Sequence, residues 1–401
     1  MWRLIITCAV VLILASATLG DGVMISMQEV GQSKPIVASP RQEALMVFDG
    51  AQVQVILRTY FRAGPKELAW IIPVPAAPTD IRPADDKIFD ELESSTAPQF
   101  YQYVGRGFTP LGCGCGAMAD RAGVYEGSVT VEASGTAGIF DWTSLGATDA
   151  QALLAWLADH QYAAPVGAER VLAPYVRDHW HWLAVKVRPE VADKPTLAPH
   201  PITYTYRATS LVYPLAISQL SADLENEILL YVLANKRYSV SNWRNEKARE
   251  LTPLKRDPAS PSKTNYEALL RQATDKADGH LFVTEYAQDI NESVLLDRIT
   301  GRPSRVEHPP TVFLTRLRAV MTAKAMDRDV SLVPDASGQA VDRTLLVASS
   351  RHLPSGLLLA LFSFTSIAVV SARFLLTGGR WFLRMAGAGA LLAAVLAVAA
   401  L

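Results

Sequence analysis

The chain reads as α+β: a β-rich, two-part extracytoplasmic body with a few packed helices, followed by a C-terminal transmembrane helical hairpin. Three observations carry that reading. Most apolar runs of the body are short, alternate with a period of two and stop at glycine, proline or aspartate, the pattern of half-buried strands. A few stretches instead space apolar residues along one helical stripe, as Ile88, Phe89 and Leu92 do. Near the end, residues 353–372 and 385–401 carry no charge. At ~1.5 Å of rise per residue they reach about 30 and 25 Å, against a hydrocarbon core of about 30 Å.

Residues 1–20 read as a signal peptide: Met1-Trp2-Arg3, an apolar run from Leu4 to Leu14, then the small residues Ala15-Ser16-Ala17. Cys8 lies inside that run, and no lipoprotein-type cysteine follows it. Residues 21–105 form an N-terminal β-rich unit. Asp49-Gly50 between two apolar runs signals a hairpin. A third strand, 68–72, is halted by Pro73-Val74-Pro75, because proline offers no N–H to a ladder. A helix over 86–95 is capped by Asp85 or Asp86 and ended by Pro98.

A glycine-dense loop, 106–123, separates this unit from a second α+β unit at 124–334. There the pattern predicts strands at 124–133 and 138–145, then a helix opened by Thr148 with Gln151 completing a capping box. A helix at 169–177, a strand at 182–188 and a stiff connection through Pro189, Pro195, Pro199 and Pro201 follow. Next come a half-solvated strand at 202–213, a buried strand at 227–233 and a polar, mobile loop at 239–265. A helix at 266–273, a strand at 281–287 and a helix at 315–325 close the body. Residues 335–352 form a linker to the first transmembrane helix at 353–372, a basic loop at 373–384 and the second transmembrane helix at 385–401. Arg373, Arg380 and Arg384, with no acidic residue among them, orient that loop to the cytoplasm and the body to the opposite side.

Several of these blocks resemble one family. Trp70-Ile71-Ile72-Pro73-Val74-Pro75, followed by Ile88-Phe89 and Thr96-Ala97-Pro98, is similar to the hallmark of the bacterial domain of unknown function 2330 family. Gly138-Ile139-Phe140-Asp141 with 153–157, 182–187, Val212-Tyr213-Pro214-Leu215 and Leu314-Thr315-Arg316-Leu317 fit as well, so the resemblance runs from about 21 to about 333. It departs at one point: family members begin the mature chain with Cys-Gly-Gly, whereas Asp21-Gly22-Val23 stands here. The resemblance implies a shared fold of exported bacterial proteins and no activity. The expected location is therefore the bacterial cytoplasmic membrane, with the body on the periplasmic side, the lipid bilayer as one partner and an envelope protein as another.

Lys and Arg total 38 against 39 Asp and Glu, so no general field draws the chain to nucleic acid. Candidate chemistry is sparse. Cys113 and Cys115, the two cysteines left after signal removal, form either a local disulfide or a redox pair, since thiols outside the cytoplasm meet an oxidising environment. His179 and His181 stand two apart, on one side of an extended segment, and offer two ligands of a metal site that needs three or four. Trp70, Pro73 and Pro75 combine an aromatic with prolines, as peptide-binding surfaces do, while the same pattern more often marks a core strand leaving its sheet. The sequence lacks a G-x-S-x-G elbow, a Walker-type lysine loop, an H-E-x-x-H motif and a dinucleotide fingerprint. No catalytic set converges and no cofactor is implied. The leading expectation is a non-enzymatic binding or envelope-assembly module; a thiol redox protein using Cys113-Gly114-Cys115 stands second, and a metal-dependent hydrolase third.

Overall fold

A computed structural model of the chain describes residues 23–26, 41–60, 68–102, 130–160, 162, 164–187, 200–221, 225–290 and 312–348. Their short alternating runs become strands. In chain order the elements are β1 (Val23–Ser26), β2 (Arg41–Phe48), β3 (Gln52–Thr59), β4 (Leu68–Val74), β5 (Thr79–Pro83), α1 (Ile88–Thr96), β6 (Gln99–Gln102), β7 (Thr130–Ala137) and β8 (Phe140–Gly146). There follow α2 (Ala150–Asp159), α3 (Ala168–Arg177), β9 (His181–Val187), β10 (Ile202–Arg207), β11 (Leu211–Tyr213), β12 (Asn226–Ala234), β13 (Tyr238–Val240) and β14 (Arg244–Lys247). The last are α4 (Tyr266–Lys276), β15 (Leu281–Ile290), β16 (Val312–Met321), β17 (Val330–Pro334) and β18 (Thr344–Val347).

Two sheets dominate. One has the order β1-β4-β9-β8-β7, the other β14-β15-β16-β12-β2-β3-β10-β5, and a small sheet β11-β17-β13 and a pair β18-β6 complete the set. The alternation of side chains sorts each sheet into two faces. Met46, Val55, Leu57, Tyr204, Leu230 and Leu317 of the larger sheet meet Trp70, Ile72, Leu183 and Val185 of the smaller in one core. On the far face of the smaller sheet, Ile71, Leu145 and Trp182 pack under α2 and α3. On the far face of the larger sheet, Leu45, Leu229 and Leu314 pack under Ile88, Phe89 and Leu92 of α1, while Leu281 and Val283 pack under Leu270 of α4. The result is a four-layer sandwich, helices outside and two sheets within.

The Asp49-Gly50 hairpin forms as expected: Gly50 takes a φ of 102°, and Asp49 Oδ1 accepts the N–H groups of Ala51 and Gln52 at 2.8 and 2.7 Å. Pro73 lies within β4 rather than ending it, opposite Trp182 of β9. Among the described residues β1 pairs only as far as Ile71, so no described strand needs the N–H that Pro73 lacks on that side.

The expected fold class needs correction. The body is mainly β and is not two successive units, since β2 and β3 sit between β12 and β10 in one sheet, while β4 lies between β1 and β9 in the other. Period-two alternation marks a strand but not its partner, and β2 pairs in parallel with β12 across the length of the body. The expected C-terminal transmembrane hairpin finds no counterpart: among the described residues no helix is long and apolar enough to cross a membrane. Residues 353–372 and 385–401, with Arg373, Arg380 and Arg384, lie outside the described residues. Apolar length permits a span without requiring one.

Smaller corrections have local causes. The helix expected over 315–325 is β16, whose Leu317, Ala319 and Met321 face the inter-sheet core while Arg316 and Arg318 face the other way. The 239–265 stretch contains β13 and β14 and is pinned by buried Trp243, Leu251 and Leu254. Asp149, not Thr148, caps α2, its carboxylate accepting the Ala152 N–H at 2.7 Å. The stretch expected to be a linker contains β18, paired in parallel with β6.

Candidate functional site

Three polar regions of this sandwich merit comparison as sites. The first lies on the outer face of the larger sheet, where the apolar stripe under α1 and α4 is interrupted by charge. Arg316 Nε donates to Glu285 Oε2 at 2.6 Å, its Nη1 and Nη2 donate to the two oxygens of Glu93 at 3.0 and 3.2 Å, and Nη1 also reaches the Tyr231 hydroxyl at 3.0 Å. Glu285 receives in addition the Tyr266 O–H at 2.8 Å. Arg318 donates to Glu227 at 2.7 Å and, through both terminal nitrogens, to Glu267 of α4 at 2.8 and 3.0 Å. Arg58 donates to Glu43 at 2.6 Å and to Asp90 of α1 at 3.0 Å. Arg41 closes the network onto Glu43 and Glu93, each at 2.9 Å.

These pairings set the electrostatics. Burial alone would raise the Glu93 carboxyl, but the Arg316 and Arg41 guanidiniums outweigh it and hold the group down at about 2. Burial, with the Glu285 carboxylate beside it, pushes the Tyr266 phenol well up. Glu43 and Glu285 are fully buried, and each of the four arginines meets at least two carboxylates. The network can clamp α1 and α4 to the sheet; no member retains a free nucleophilic or basic role.

The second region is a narrow cleft where β4 leaves the sandwich. Pro73 and Pro75 form one wall, Tyr204 and Tyr206 of β10 another, and Tyr213 and Pro214 a third, over a floor of Met46, Val55 and Leu57. Its free volume is ≈ 10 Å³, room for one water. The Tyr204 and Tyr206 rings stack at 6.3 Å with an interplanar angle of 28°. Tyr213 donates its O–H to Gln42 Oε1 at 2.7 Å. Tyr206 is 2% exposed as a whole residue; among the described residues its hydroxyl has no hydrogen-bond partner, and the oxygen is not one of the buried polar atoms left unpaired, so solvent reaches it. Burial pushes that phenol up, so it remains a protonated donor. Of the three residues expected to form a binding surface, Pro73 and Pro75 line this cleft, whereas Trp70 is 1% exposed and belongs to the core between the sheets.

The third region is built around His181. A bulge in β7 between Val131 and Ala133 re-aims Glu132, and Gly146 opposite leaves room for it, since a Cβ there would stand 3.2 Å from Glu132 Oε1. Glu132 accepts from His181 Nδ1 at 2.7 Å and from the Ser144 hydroxyl at 2.9 Å. The carboxylate stands between serine and imidazole. A nucleophile relay needs the imidazole in the middle, so this trio orients His181 but does not activate Ser144. His179 sits apart on the α3–β9 turn in the left-handed region, φ 58°. Among the described residues no three His, Cys, Asp or Glu side chains gather as a metal site would require. Cys113 and Cys115 lie outside the described residues.

Residues 25–333 match the model of a family described as an uncharacterized protein conserved in bacteria (DUF2330). The chain belongs to that family. Against curated proteins it has no match. Among solved structures, the crystal structure of baculovirus P35 aligns at 9% identity over 74% of this chain and 97% of that one, with a TM-score of 0.34. A likeness that distant carries no argument about fold or function.

The blocks by which this DUF2330 member resembles its family converge on two of the three regions. Pro73-Val74-Pro75 and Val212-Tyr213-Pro214 supply cleft walls, while Phe89, Thr96 and Arg316 meet at the arginine network. Sequence reasoning missed the network itself. Its signal was Arg316 and Arg318, two apart within an otherwise apolar run, and Arg41 and Glu43, two apart at the head of one.

Proposed function

We propose that this protein is an exported, non-enzymatic binding module of bacteria whose cleft at the β4 exit takes an extended, proline-bearing polypeptide segment. Export rests on the signal-like residues 1–20. The binding reading rests on Tyr206: a phenol donor set among apolar walls, with no acceptor among the described residues and with its oxygen open to solvent rather than buried. In the free chain water meets that donor, and a ligand carbonyl placed against it takes the water's place for a net gain of about 1 kcal/mol. The surrounding surface consists of proline and tyrosine rings, which pack against pyrrolidine rings and supply no nucleophile, carboxylate or amine. An extended polyproline-type segment presents carbonyls that make no internal hydrogen bonds. Tyr-lined surfaces recognise such segments because little conformational entropy remains to be lost.

The cleft's size supports the same reading. Small-molecule and cofactor sites span roughly 300–1,000 Å³, whereas this cleft admits one carbonyl or one ring edge. The test is a titration of the full chain with a proline-rich decapeptide and with the same peptide bearing alanine for proline, followed by tyrosine fluorescence. Saturable binding of the first peptide, and a weakening of about five- to tenfold in Tyr206→Phe, is the expected result, since one hydrogen bond contributes about 1 kcal/mol. Equal response to both peptides, or none to either, would overturn the reading.

A further inference from the structure

The chain as a whole is nearly neutral, yet its charge is not evenly laid down. Residues 236–263 hold eight Lys or Arg against three Asp or Glu. The three carboxylates there each engage a neighbour: exposed Glu250 accepts the Lys247 backbone N–H at 2.8 Å, Asp257 accepts the Ala259 N–H at 3.0 Å, and Glu246 pairs with Arg244. Among the described residues, Arg244 is the one cation of the eight in an ion pair with a carboxylate.

Two of the others converge. Lys247, from the β14 edge of the larger sheet, and Arg249, in the turn after it, both donate to the single amide oxygen of Gln339, at 3.1 Å each. Lys247 also lies 3.4 Å from the Ser337 hydroxyl. Arg237 approaches the same turn, donating to the Gly338 carbonyl at 2.9 Å. Asp335, the acid of that turn, spends its oxygens on the Ser337 N–H and O–H at 3.0 and 2.7 Å. Three cations, Arg237 from the β12–β13 connection and Lys247 and Arg249 from β14 and the turn after it, are thus gathered onto neutral oxygens of one turn, and the two that share Gln339 Oε1 stand close enough to repel one another. Lys255, Arg256 and Lys263 of the same segment are exposed as well.

We infer that this edge binds a phosphate-bearing polyanion, with Lys247 and Arg249 gripping one phosphate and Arg237 completing the positive rim. A phosphate oxygen replaces Gln339 Oε1 as the shared acceptor and relieves the repulsion between the two cations, and the guanidinium offers its paired N–H groups to two oxygens. The field of the remaining cations favours a chain or a surface of phosphates over an isolated ion. This inference stands apart from the peptide cleft and uses none of its residues.

The test measures binding of the full chain to inorganic polyphosphate, to inorganic phosphate and to vesicles of phosphatidylglycerol with phosphatidylcholine, across a salt series. Binding to polyphosphate or to the vesicles that falls steeply with salt, and weakens at least tenfold in K247A/R249A but not in K324A, supports the proposal. The arm that responds identifies the source of the phosphate. The milder K247Q/R249Q pair, with melting temperatures recorded, separates lost binding from lost folding. Equal binding by wild type and both double variants, or no binding in any arm, overturns it.

Discussion

The arginines beneath α1 and α4 and the cations along the β14 edge carry the same charge and meet opposite fates. Arg316 is 3% exposed at its side chain and shares carboxylates with Glu93 and Glu285; Arg249 is exposed and rests on a neutral amide. The first set lies where removal from water would be ruinous without a counter-charge, so the fold supplies one for every guanidinium. The second lies where water already screens it, so pairing was not required for folding. Saturated polar groups hold this protein together, and unsaturated ones are free to recognise something else. Tyr206, its residue largely covered but its unpaired hydroxyl open to solvent, belongs to the second kind.

The sharpest way to break this comparison is to remove a saturated partner. Arg316→Met removes the nearest counter-charge of buried Glu285 and one of the two that hold Glu93, and is expected to lower unfolding free energy by about 3 kcal/mol in urea titration. Adding Glu285→Gln is expected to return part of that loss; a double variant as unstable as the sum of the singles would deny the coupling.

Acid titration comes next in size. Glu93 is held at about 2 in the folded chain, below its unfolded value, so the folded state binds fewer protons. Its contribution is complete above the unfolded pKa and disappears as pH falls from about 4.5 towards 2. After discounting for partial exposure it amounts to about 2 kcal/mol. Glu93→Gln should flatten that limb of the stability curve. The smallest effect on stability is expected at the edge: K247A/R249A should shift unfolding free energy by no more than about 0.5 kcal/mol, and a larger loss would place those cations in the saturated class.

How much of this was legible depended on the range of the interaction. The Asp49-Gly50 hairpin, β12 and α3 follow from local pattern, because turn chemistry and periodicity act over a few residues. The network was not legible, since Arg316 meets Glu93 at a separation of 223 residues, and no local pattern names such a partner. The same blindness turned β16 into an expected helix and merged interleaved strands into successive units. The sequence offers two readings of Trp70 beside its prolines, a core strand exit and a binding surface; strand alternation places it inside, with Pro73 and Pro75 alone reaching the cleft. The edge cations were visible as composition, yet only their convergence on the turn at Ser337 and Gln339 gives that composition a shape.

The most direct measurement is made on Tyr206→Phe, recording unfolding free energy and affinity for the proline-rich peptide side by side. Because the hydroxyl has no partner among the described residues, its removal should leave stability unchanged within about 0.5 kcal/mol, or raise it slightly. Peptide affinity should fall about five- to tenfold. Destabilisation with peptide affinity intact would show that the phenol serves the fold, and would contradict the division between saturated and unsaturated groups on which this account rests.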